Sequence, residues 1–245
     1  MHIGLVIGKK NSVGVPGKNT KIILGRPAAE YAFIAAKYAL LDKIYVSTDS
    51  DEIAEIGKKY DAKHIIRPSN LANPDSLTED VLTHAYESIT KDLGHKNIKT
   101  ISLLVCNNPA INVNLLREAI TFLENDNSYD SCFSVAKYDM FSPSRARKIT
   151  KEGEMAPFID LKYIDNVSSI RDSQGSVYFC DLSIQVMKPT CFENMKDGQL
   201  PFKWQGRKSK PIETDYGFDI DTEWQLVVIE HWLKKHGYTE DHIPW

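Results

Sequence analysis

Short apolar runs alternate with helical apolar spacing through the first 136 residues of the chain. Strand-like runs fall at 2–7, 43–48, 64–66, 100–105 and about 130–136, and helical spacing falls at 27–40, 51–60, 77–91 and about 113–124. Such alternation is typical of βαβ units, and near-continuous apolar strands indicate burial on both faces of a sheet. The pattern predicts an α/β fold with a mainly parallel sheet.

The alternation breaks between about 137 and 175, where prolines, glycines, charged residues and aromatic residues are mixed. We expect an irregular excursion from the sheet that acts as a dimerisation arm, a substrate lid or both. Residues 175–179 restore a strand, and 222–235 have the apolar spacing of a last helix. A length of 245 residues predicts one domain, 1–245, that carries this excursion.

Composition excludes several classes of protein. A formal net charge of -3 argues against a nucleic-acid-binding protein, whose footprint is a strongly basic face. No run of eighteen apolar residues occurs, so a membrane partner is not expected. The four cysteines are widely spaced and form no metal-binding pattern, which predicts reduced thiols in a cytoplasmic protein.

A glycine-punctuated loop, Ser12–Asn19, follows the first strand and reads Ser-Val-Gly-Val-Pro-Gly-Lys-Asn. Gly14 and Gly17 leave room for backbone N–H groups to approach an oligophosphate, and Lys18 adds a compact positive charge. The spacing departs from both the P-loop and the dinucleotide fingerprint. The sequence therefore predicts a phosphate-binding loop of another type, with a glycine-rich surface turn as the alternative.

Two carboxylates, Asp219 and Asp221, are separated by a single residue near the last helix. If this segment is extended, both carboxylates point to one side while Ile220 faces the core. One or two carboxylates suffice for Mg²⁺, or for Mn²⁺, when the metal arrives with a nucleoside triphosphate. The pair is therefore a candidate metal site, and the alternative is that one of its carboxylates caps the last helix.

Two other polar segments follow predicted strands. Thr48-Asp49-Ser50-Asp51-Glu52 is rich in hydroxyl and carboxylate groups, and a capping arrangement that starts at Thr48 or Asp49 explains it without a chemical role. Arg67 directly follows the strand at 64–66. Its guanidinium is a candidate for reading a base or a phosphate, and an exposed surface arginine is the alternative.

Five motifs occur in an order that resembles the acylneuraminate cytidylyltransferases, which are the CMP-sialic acid synthetases and are related to the CMP-Kdo synthetases. They are the loop Ser12–Asn19, Val46–Ser50, Arg67-Pro68, Gly175–Tyr178 and Asp219–Asp221. The resemblance covers most of the chain, and the joint order is more specific than any single motif. It implies a Rossmann-like three-layer nucleotidyltransferase fold, use of CTP with Mg²⁺, and a homodimer formed through a protruding segment.

The resemblance also implies roles for individual residues. The nucleotide would be bound by Ser12, Lys18, Asn19, Arg67, Ser76 and Thr78, and the predicted phosphate-binding loop adds Lys9, Gly14 and Gly17 to this set. Asp219 and Asp221 match the metal-binding pair, and they form the predicted catalytic group together with Lys18. Gln174 and Tyr178 match the acceptor side, and the loop carrying Asn107 and Asn108 would lie near the acceptor sugar.

Arg171 is a further candidate on the acceptor side. With the neighbouring Arg145, Arg147 and Lys162 it belongs to the basic residues of the excursion, which could hold an acceptor carboxylate. Ordinary surface salt bridges are the alternative for all four.

Two departures from the family pattern mark a divergent branch. The family loop Ala-Arg-Gly-Gly-Ser-Lys-Gly becomes Gly8–Gly14, with Lys9 in place of arginine and Val13 in place of the second basic residue. Lysine keeps the charge but loses the bidentate geometry of arginine. The family segment Gln-Pro-Thr-Ser-Pro-Leu-Arg becomes Val105–Ile111, which leaves the acceptor sugar open.

The sequence thus predicts a cytidylyltransferase that transfers CMP from CTP to a nonulosonic or related sugar acid and releases pyrophosphate. Three alternatives stay open at this point. A glycosyltransferase would use Asp219-Ile220-Asp221 as an Asp-x-Asp site for a nucleotide sugar. A nucleotidyltransferase with a sugar phosphate acceptor would share the site, and a non-catalytic module would bind the nucleotide without turnover.

Overall fold

The computed structural model describes residues 1–11, 14–73, 75–171, 173–217 and 219–245. The described strands are β1 His2–Ile7, β2 Ile22–Ile23, β3 Arg26–Pro27, β4 Lys43–Thr48, β5 Lys63–Ile66, β6 Thr100–Val105, β7 Ser131–Lys137, β8 Arg147–Ile149, β9 Met155–Pro157, β10 Tyr178–Met187 and β11 Ser209–Thr214. The described helices are α1 Ala28–Tyr38, α2 Asp51–Lys58, α3 Thr78–Leu93, α4 Val113–Asn125, α5 Pro189–Glu193 and α6 Glu223–Lys235.

Seven strands form one sheet in the order β11-β7-β10-β6-β1-β4-β5. β1 is parallel to β4 and β6, β5 continues from β4 in the same direction, and β11 is parallel to β7. β10 alone runs antiparallel, against both β6 and β7. The excursion leaves the end of β7 and returns beside the same end at Tyr178, which pairs with Lys137. The chain therefore enters β10 in the opposite direction, without a crossover to the other end of the sheet. The prediction of a mainly parallel sheet is confirmed.

The sheet is covered on both faces, because successive strand residues point in opposite directions. Leu5 packs in a cluster with residues of α3 and α5, whereas Val6 packs on the other face with residues of α1, α2 and α4. This three-layer arrangement explains why the strands of the sheet read as nearly continuous apolar runs.

A third apolar cluster joins segments that are distant in sequence. Val15 from the loop after β1 packs with Ile220 from the segment before α6, and Ile229 and Trp232 of α6 complete the contact. Ile220 is fully buried, as predicted for the middle residue of the acidic pair. The cluster therefore holds the glycine-rich loop against the acidic pair.

The predicted excursion contains a small antiparallel hairpin, β8 with β9, between stretches of irregular chain. Its large apolar side chains are exposed to an unusual degree: Ile149, Met155, Phe158, Tyr163 and Ile170. Among the described residues, no helix combines the length and apolar character that a membrane crossing requires. The four cysteines are unpaired, in agreement with the prediction of free thiols.

Candidate functional site

A cavity of about 310 Å³ opens at the edge of the sheet where the parallel strands end. The loops after β1, β5 and β6 and the segment after β11 all meet there, as expected for ligand sites in α/β sheets. Its described walls comprise Ile7, Gly8, Lys9, Lys18, Asn19, Arg67, Leu71, Asn73, Ser76, Thr78, Val81, Leu103, Val105, Asn107, Leu182, Gln185, Phe202, Trp204 and Asp219. Most of the residues predicted to bind the nucleotide therefore surround one space.

The glycine-rich loop and the acidic pair meet directly. Lys18 Nζ lies 2.5 Å from Asp221 Oδ1, although the two residues are 203 positions apart in the chain. A Cβ atom on Gly14 would lie only 2.6 Å from the backbone oxygen of Asp221, which is closer than a side chain can approach. Gly14 is therefore required for close contact between the two backbones.

Local hydrogen bonds fix the shape of the loop. Gly17 has φ of +66°, a left-handed conformation that favours glycine, and its carbonyl accepts from the Thr20 N–H at 3.0 Å. Asn19 is buried and donates from Nδ2 to the Lys9 carbonyl at 2.9 Å, which braces the two ends of the loop. Ser12 was predicted to bind the nucleotide, and it lies outside the described residues.

Asp219 occupies an enclosed position among charged and polar groups. Burial, and then the negative charge of Asp221, raise the pKa of Asp219 to about 6, against the opposing effects of Lys18 and the nearby Asn107 and Asn108 amides. Its Oδ1 is closed to solvent and accepts no hydrogen bond from the described residues. An enclosed carboxylate oxygen without a donor, beside a second carboxylate, is chemically suited to a divalent cation.

The donor set is small. Among the described residues, no three His, Cys, Asp or Glu side chains are grouped to hold a metal. Two carboxylates fit Mg²⁺ that retains waters and takes phosphate oxygens from its substrate, and they do not make a closed protein site. Asp219 and Asp221 would hold such an ion.

The backbone that carries the acidic pair is fixed on both sides. The Ile220 N–H donates to the Asn107 carbonyl at 2.8 Å. Gln225 Oε1 accepts from the N–H groups of Asp221 at 2.8 Å and Thr222 at 2.7 Å. Thr222 is the N-cap residue of α6 and forms a capping box with Gln225, so the alternative in which Asp219 or Asp221 caps this helix is wrong.

Arg67 is buried in the wall of the cavity, so the alternative of an exposed surface arginine is wrong. One terminal nitrogen donates to the Ser47 carbonyl at 2.7 Å, whereas Nε is enclosed and has no partner among the described residues. Burial lowers the pKa of Arg67, but a guanidinium stays charged at neutral pH. A buried charge with an unsatisfied donor indicates that a ligand completes its environment.

The polar segment after β4 caps a helix, as predicted, but the capping residue of α2 lies one or two positions later than expected. The Ser50 hydroxyl accepts the Ile53 N–H and begins α2, so the cap is Ser50 and not Thr48 or Asp49. Asp49 Oδ1 instead accepts the backbone N–H of Lys10 at 2.9 Å and anchors the segment that leads into the glycine-rich loop.

The cavity continues into an apolar end that the sequence did not reveal. Gln185 is almost fully buried there, where its Oε1 accepts from Trp204 Nε1 at 2.9 Å and its Nε2 donates to the Leu182 carbonyl at 3.0 Å. Phe202 lies beside them in the wall. Gln185 lies within the irregular strand β10 and Trp204 lies in the connection before β11, and no sequence motif distinguishes them.

The residues predicted for the acceptor separate into two groups. Asn107 lines the cavity, whereas Asn108 is buried beneath it and donates to the Asp181 carbonyl at 3.0 Å. Gln174 accepts from the Ser144 hydroxyl at 2.7 Å and donates to the Arg171 carbonyl at 2.9 Å, so it braces the excursion. Gln174, Arg171 and the half-exposed Tyr178 are absent from the described walls of the cavity.

A second cavity of about 280 Å³ adjoins the first and shares Leu182 and Asp219 with it. Its other described walls are Tyr138, Phe141, Phe179, Cys180, Asp181 and Gly217. Asp219 thus lies where the two spaces meet.

Asp181 in this wall is a buried carboxylate held by hydroxyl groups. It accepts from Ser134 on the neighbouring strand β7 and from Thr214 on β11, the next strand beyond it. It also accepts from the Ser183 hydroxyl at 2.9 Å and the Ser183 N–H at 3.0 Å. A Cβ on Gly217 would lie 2.9 Å from its carboxyl carbon. Asp181 therefore supports the segment that leads to Asp219.

Comparison with solved structures defines the class of fold. A CMP:2-keto-3-deoxy-manno-octonic acid synthetase complexed with CTP superposes with a TM-score of 0.66 at 12% identity, covering 96% of this chain and 98% of that one. A 4-diphosphocytidyl-2C-methyl-D-erythritol synthase from Anaerococcus prevotii gives 0.62 at 14% identity, covering 95% and 96%. The architecture is an α/β nucleotidyltransferase fold.

Sequence comparison then defines the family. The sequence model described as Cytidylyltransferase matches residues 3–170, which is more than half of the chain, so the chain belongs to this family. N-acylneuraminate cytidylyltransferase A from Danio rerio is 26% identical over 248 residues, covering 97% of this chain and 52% of that protein. CMP-N,N'-diacetyllegionaminic acid synthase from Legionella pneumophila is 26% identical over 183 residues, covering 72% and 76%. The chain spans about half the length of the zebrafish relative.

Proposed function

We propose that this chain transfers CMP from CTP to a sugar acid of the nonulosonic or a related class and releases pyrophosphate. The observation that carries the proposal is the convergence of Lys18 and Gly14 with Asp221 beside a cavity that also contains the buried Arg67. A triphosphate, its metal and its nucleoside each find a matching group there. The names of the relatives, which include enzymes for sialic and legionaminic acids, support the sugar acid as acceptor.

Transfer requires in-line attack on the α-phosphorus, so the protein chiefly positions the reactants and neutralises the charge that moves onto pyrophosphate. Lys9 and Lys18 line the cavity and supply positive charge. The backbone around Gly17 turns in a left-handed conformation that favours N–H groups directed at an anion. Arg67, Ser76 and Thr78, at the other side, would bind the base and ribose.

Asp219 and Asp221 would hold Mg²⁺ or Mn²⁺. When bound, such an ion neutralises phosphate charge and polarises the phosphorus toward attack. Asp219 must lose its proton to serve as a ligand, and its pKa of about 6 leaves it mostly ionised at neutral pH. The enclosed Oδ1 supports this role, because an ionised oxygen without a donor is otherwise costly to bury.

The acceptor would enter through the second cavity. Asp219 belongs to the walls of both cavities, so an acceptor in the second would lie next to a triphosphate in the first. Aromatic rings of Tyr138 and Phe179 provide apolar surface for a sugar ring and its substituents, while Asn107 provides an amide at the boundary. The acceptor hydroxyl would thereby be positioned for attack on the α-phosphorus.

We further propose a homodimer formed through the excursion, in a protein of the cytoplasm. Ile149, Met155 and Tyr163 are about four-fifths exposed, at 82%, 77% and 80%. An apolar surface of this kind is favourable when a second copy covers it. Light scattering would detect the dimer, and charged substitutions at Ile149 and Met155 would shift it to a monomer.

The test is a pyrophosphate-release screen with Mg²⁺ and each of four nucleoside triphosphates, against nonulosonic acids, Kdo and sugar phosphates. We expect release only with CTP and a sugar acid. Asp221→Ala should abolish release without unfolding the protein, and Lys18→Ala should weaken CTP binding. Release with a sugar phosphate instead would reassign the acceptor, and binding of CTP without release by any acceptor would refute the proposed reaction.

A further inference from the structure

Lys18 and Asp221 form an ion pair with each other, although each of them is proposed to bind a different ligand. The Lys18 side chain is only 12% exposed, its Nζ lies 2.5 Å from Asp221 Oδ1, and the Asp221 side chain is 64% exposed. Among the described residues, no second carboxylate lies within 4.0 Å of Lys18 Nζ. The lysine is therefore enclosed, while its partner can still be reached from solvent.

Each member of the pair has a competing partner if the proposed function holds, and the inference rests on that function. Lys18 would bind the triphosphate, and Asp221 would bind the metal. A lysine ammonium and a divalent cation repel each other, and both cannot share Asp221 at hydrogen-bond distance without a large electrostatic cost. The observed ion pair and the metal-loaded site are therefore competing arrangements of these side chains, each of which weakens the other.

Exchange between the two arrangements requires only side-chain movement. Gln225 and Asn107 hold the backbone of the acidic pair through the hydrogen bonds to Asp221 and Ile220, and neither contact involves Lys18. Ile220 is fully buried and anchors the segment further. The Asp221 carboxylate can thus lose Lys18 and remain in the same position.

We propose that Lys18 acts as a latch on the metal site, so that the free protein has low affinity for a divalent cation until a triphosphate draws Lys18 away from Asp221. A triphosphate carries several negative charges and outcompetes one carboxylate for the ammonium group. Its arrival frees Asp221 for the metal that enters with the nucleotide. By linkage, nucleotide and metal each raise the affinity for the other by the same factor.

The experiment measures Mn²⁺ binding to the nucleotide-free protein from the electron paramagnetic resonance signal of free Mn²⁺. Lys18→Met keeps most of the side-chain length and removes the charge, and it should bind Mn²⁺ about tenfold more tightly than the wild type, a gain typical of an allosteric coupling. Lys10→Met removes the same charge two residues before the loop begins, where Lys10 is exposed and forms no ion pair with Asp221. This control should leave Mn²⁺ affinity within about twofold of wild type, because exposed charges are screened.

The double variant Lys18→Met with Asp221→Asn identifies the group through which the gain arises. Compared with Asp221→Asn alone, it should show no gain in Mn²⁺ affinity, because the lysine then has no carboxylate to release. Equal Mn²⁺ affinity of Lys18→Met and wild type, an equal gain with Lys10→Met, or a gain that survives Asp221→Asn would each overturn the latch, even in a protein that releases pyrophosphate normally. Conversely, latch behaviour in a protein that releases no pyrophosphate would support the latch and reject only the proposed reaction.

Discussion

Substitution of Gly14 by alanine tests the contact on which the site depends. The new Cβ would lie 2.6 Å from the backbone oxygen of Asp221, an atom that cannot rotate away. An ordinary carbon–oxygen contact needs about 0.7 Å more, so the loop and the acidic pair must separate by roughly that distance. Lys18 and the phosphates it would bind then move away from the proposed metal site.

The expected effect is larger on activity than on stability. Misplacement of reacting groups by about 1 Å costs up to about 10²-fold in rate, so we expect kcat/KM for CTP to fall roughly 10- to 100-fold. Gly14 is exposed, and its loop can yield, so the free energy of unfolding should fall by only about 1 kcal/mol. Pyrophosphate release gives the first quantity, and urea denaturation gives the second.

Gly94→Ala is the matched control. Gly94 ends α3 with φ of +78°, at the opposite edge of the sheet, so alanine there strains the backbone without touching the site. We expect a stability loss of about 1–3 kcal/mol with wild-type kinetics. If Gly14→Ala retained kcat/KM within about twofold of wild type, or if Gly94→Ala lost as much activity, the direct contact between loop and acidic pair would not matter for turnover.

Three further predictions address other groups. The buried Arg67 has an Nε without a hydrogen-bond partner among the described residues, so we expect it to contact the nucleotide. Arg67→Leu should then raise KM for CTP by about 10- to 100-fold in steady-state assays, and a change of less than about twofold would contradict that contact. The folded pKa of Asp219, about 6, is raised above its unfolded value, so its stabilising contribution is fully present below about pH 4 and is lost as the pH rises through 6. The free energy of unfolding, measured by urea denaturation without metal, should fall by up to about 3 kcal/mol over this pH range. Asp219→Asn should remove this pH dependence, and equal pH dependence in the variant and the wild type would refute the assignment to Asp219. Asp181→Ala should lower the free energy of unfolding by about 2–4 kcal/mol, because the hydroxyls of Ser134 and Thr214 lose their acceptor. Asp181→Asn keeps an acceptor oxygen and should lower it much less, and equal losses in the two variants would show that the hydroxyls are not the cause.

The central part of the fold could be predicted because its strands are buried on both faces and its helices have one apolar side. β11 was missed for a physical reason. It lies at the edge of the sheet, only Ile212 among its residues is buried, and Pro211 interrupts the pattern of a central strand. An edge strand tolerates both features, so its sequence resembles a loop.

The nucleotide side of the site could be predicted for a similar reason. The ends of parallel strands meet at one edge, so residues directly after β1, β5 and β6 converge whatever their separation in sequence. Lys18 and Arg67 were found in this way. Asn108 was predicted on the acceptor side but turns under the cavity to Asp181, since nothing in the sequence fixes the direction of an amide after a strand.

The acceptor side was less predictable because β10 contains a break in its alternation. In a regular strand Leu182, Ile184 and Val186 would share one face, and Gln185 would point to the other. The register with β7 shifts between Cys180 and Gln185, and Leu182 adopts φ of +58°. Leu182 consequently packs on the α3 side while Ile184 and Val186 pack on the α1 side. Leu182 and Gln185, an odd number of positions apart, therefore line the same cavity. The bulge builds the boundary between the two cavities, and such an irregularity depends on the pairing of β10 with its neighbours, which the order of apolar residues does not encode.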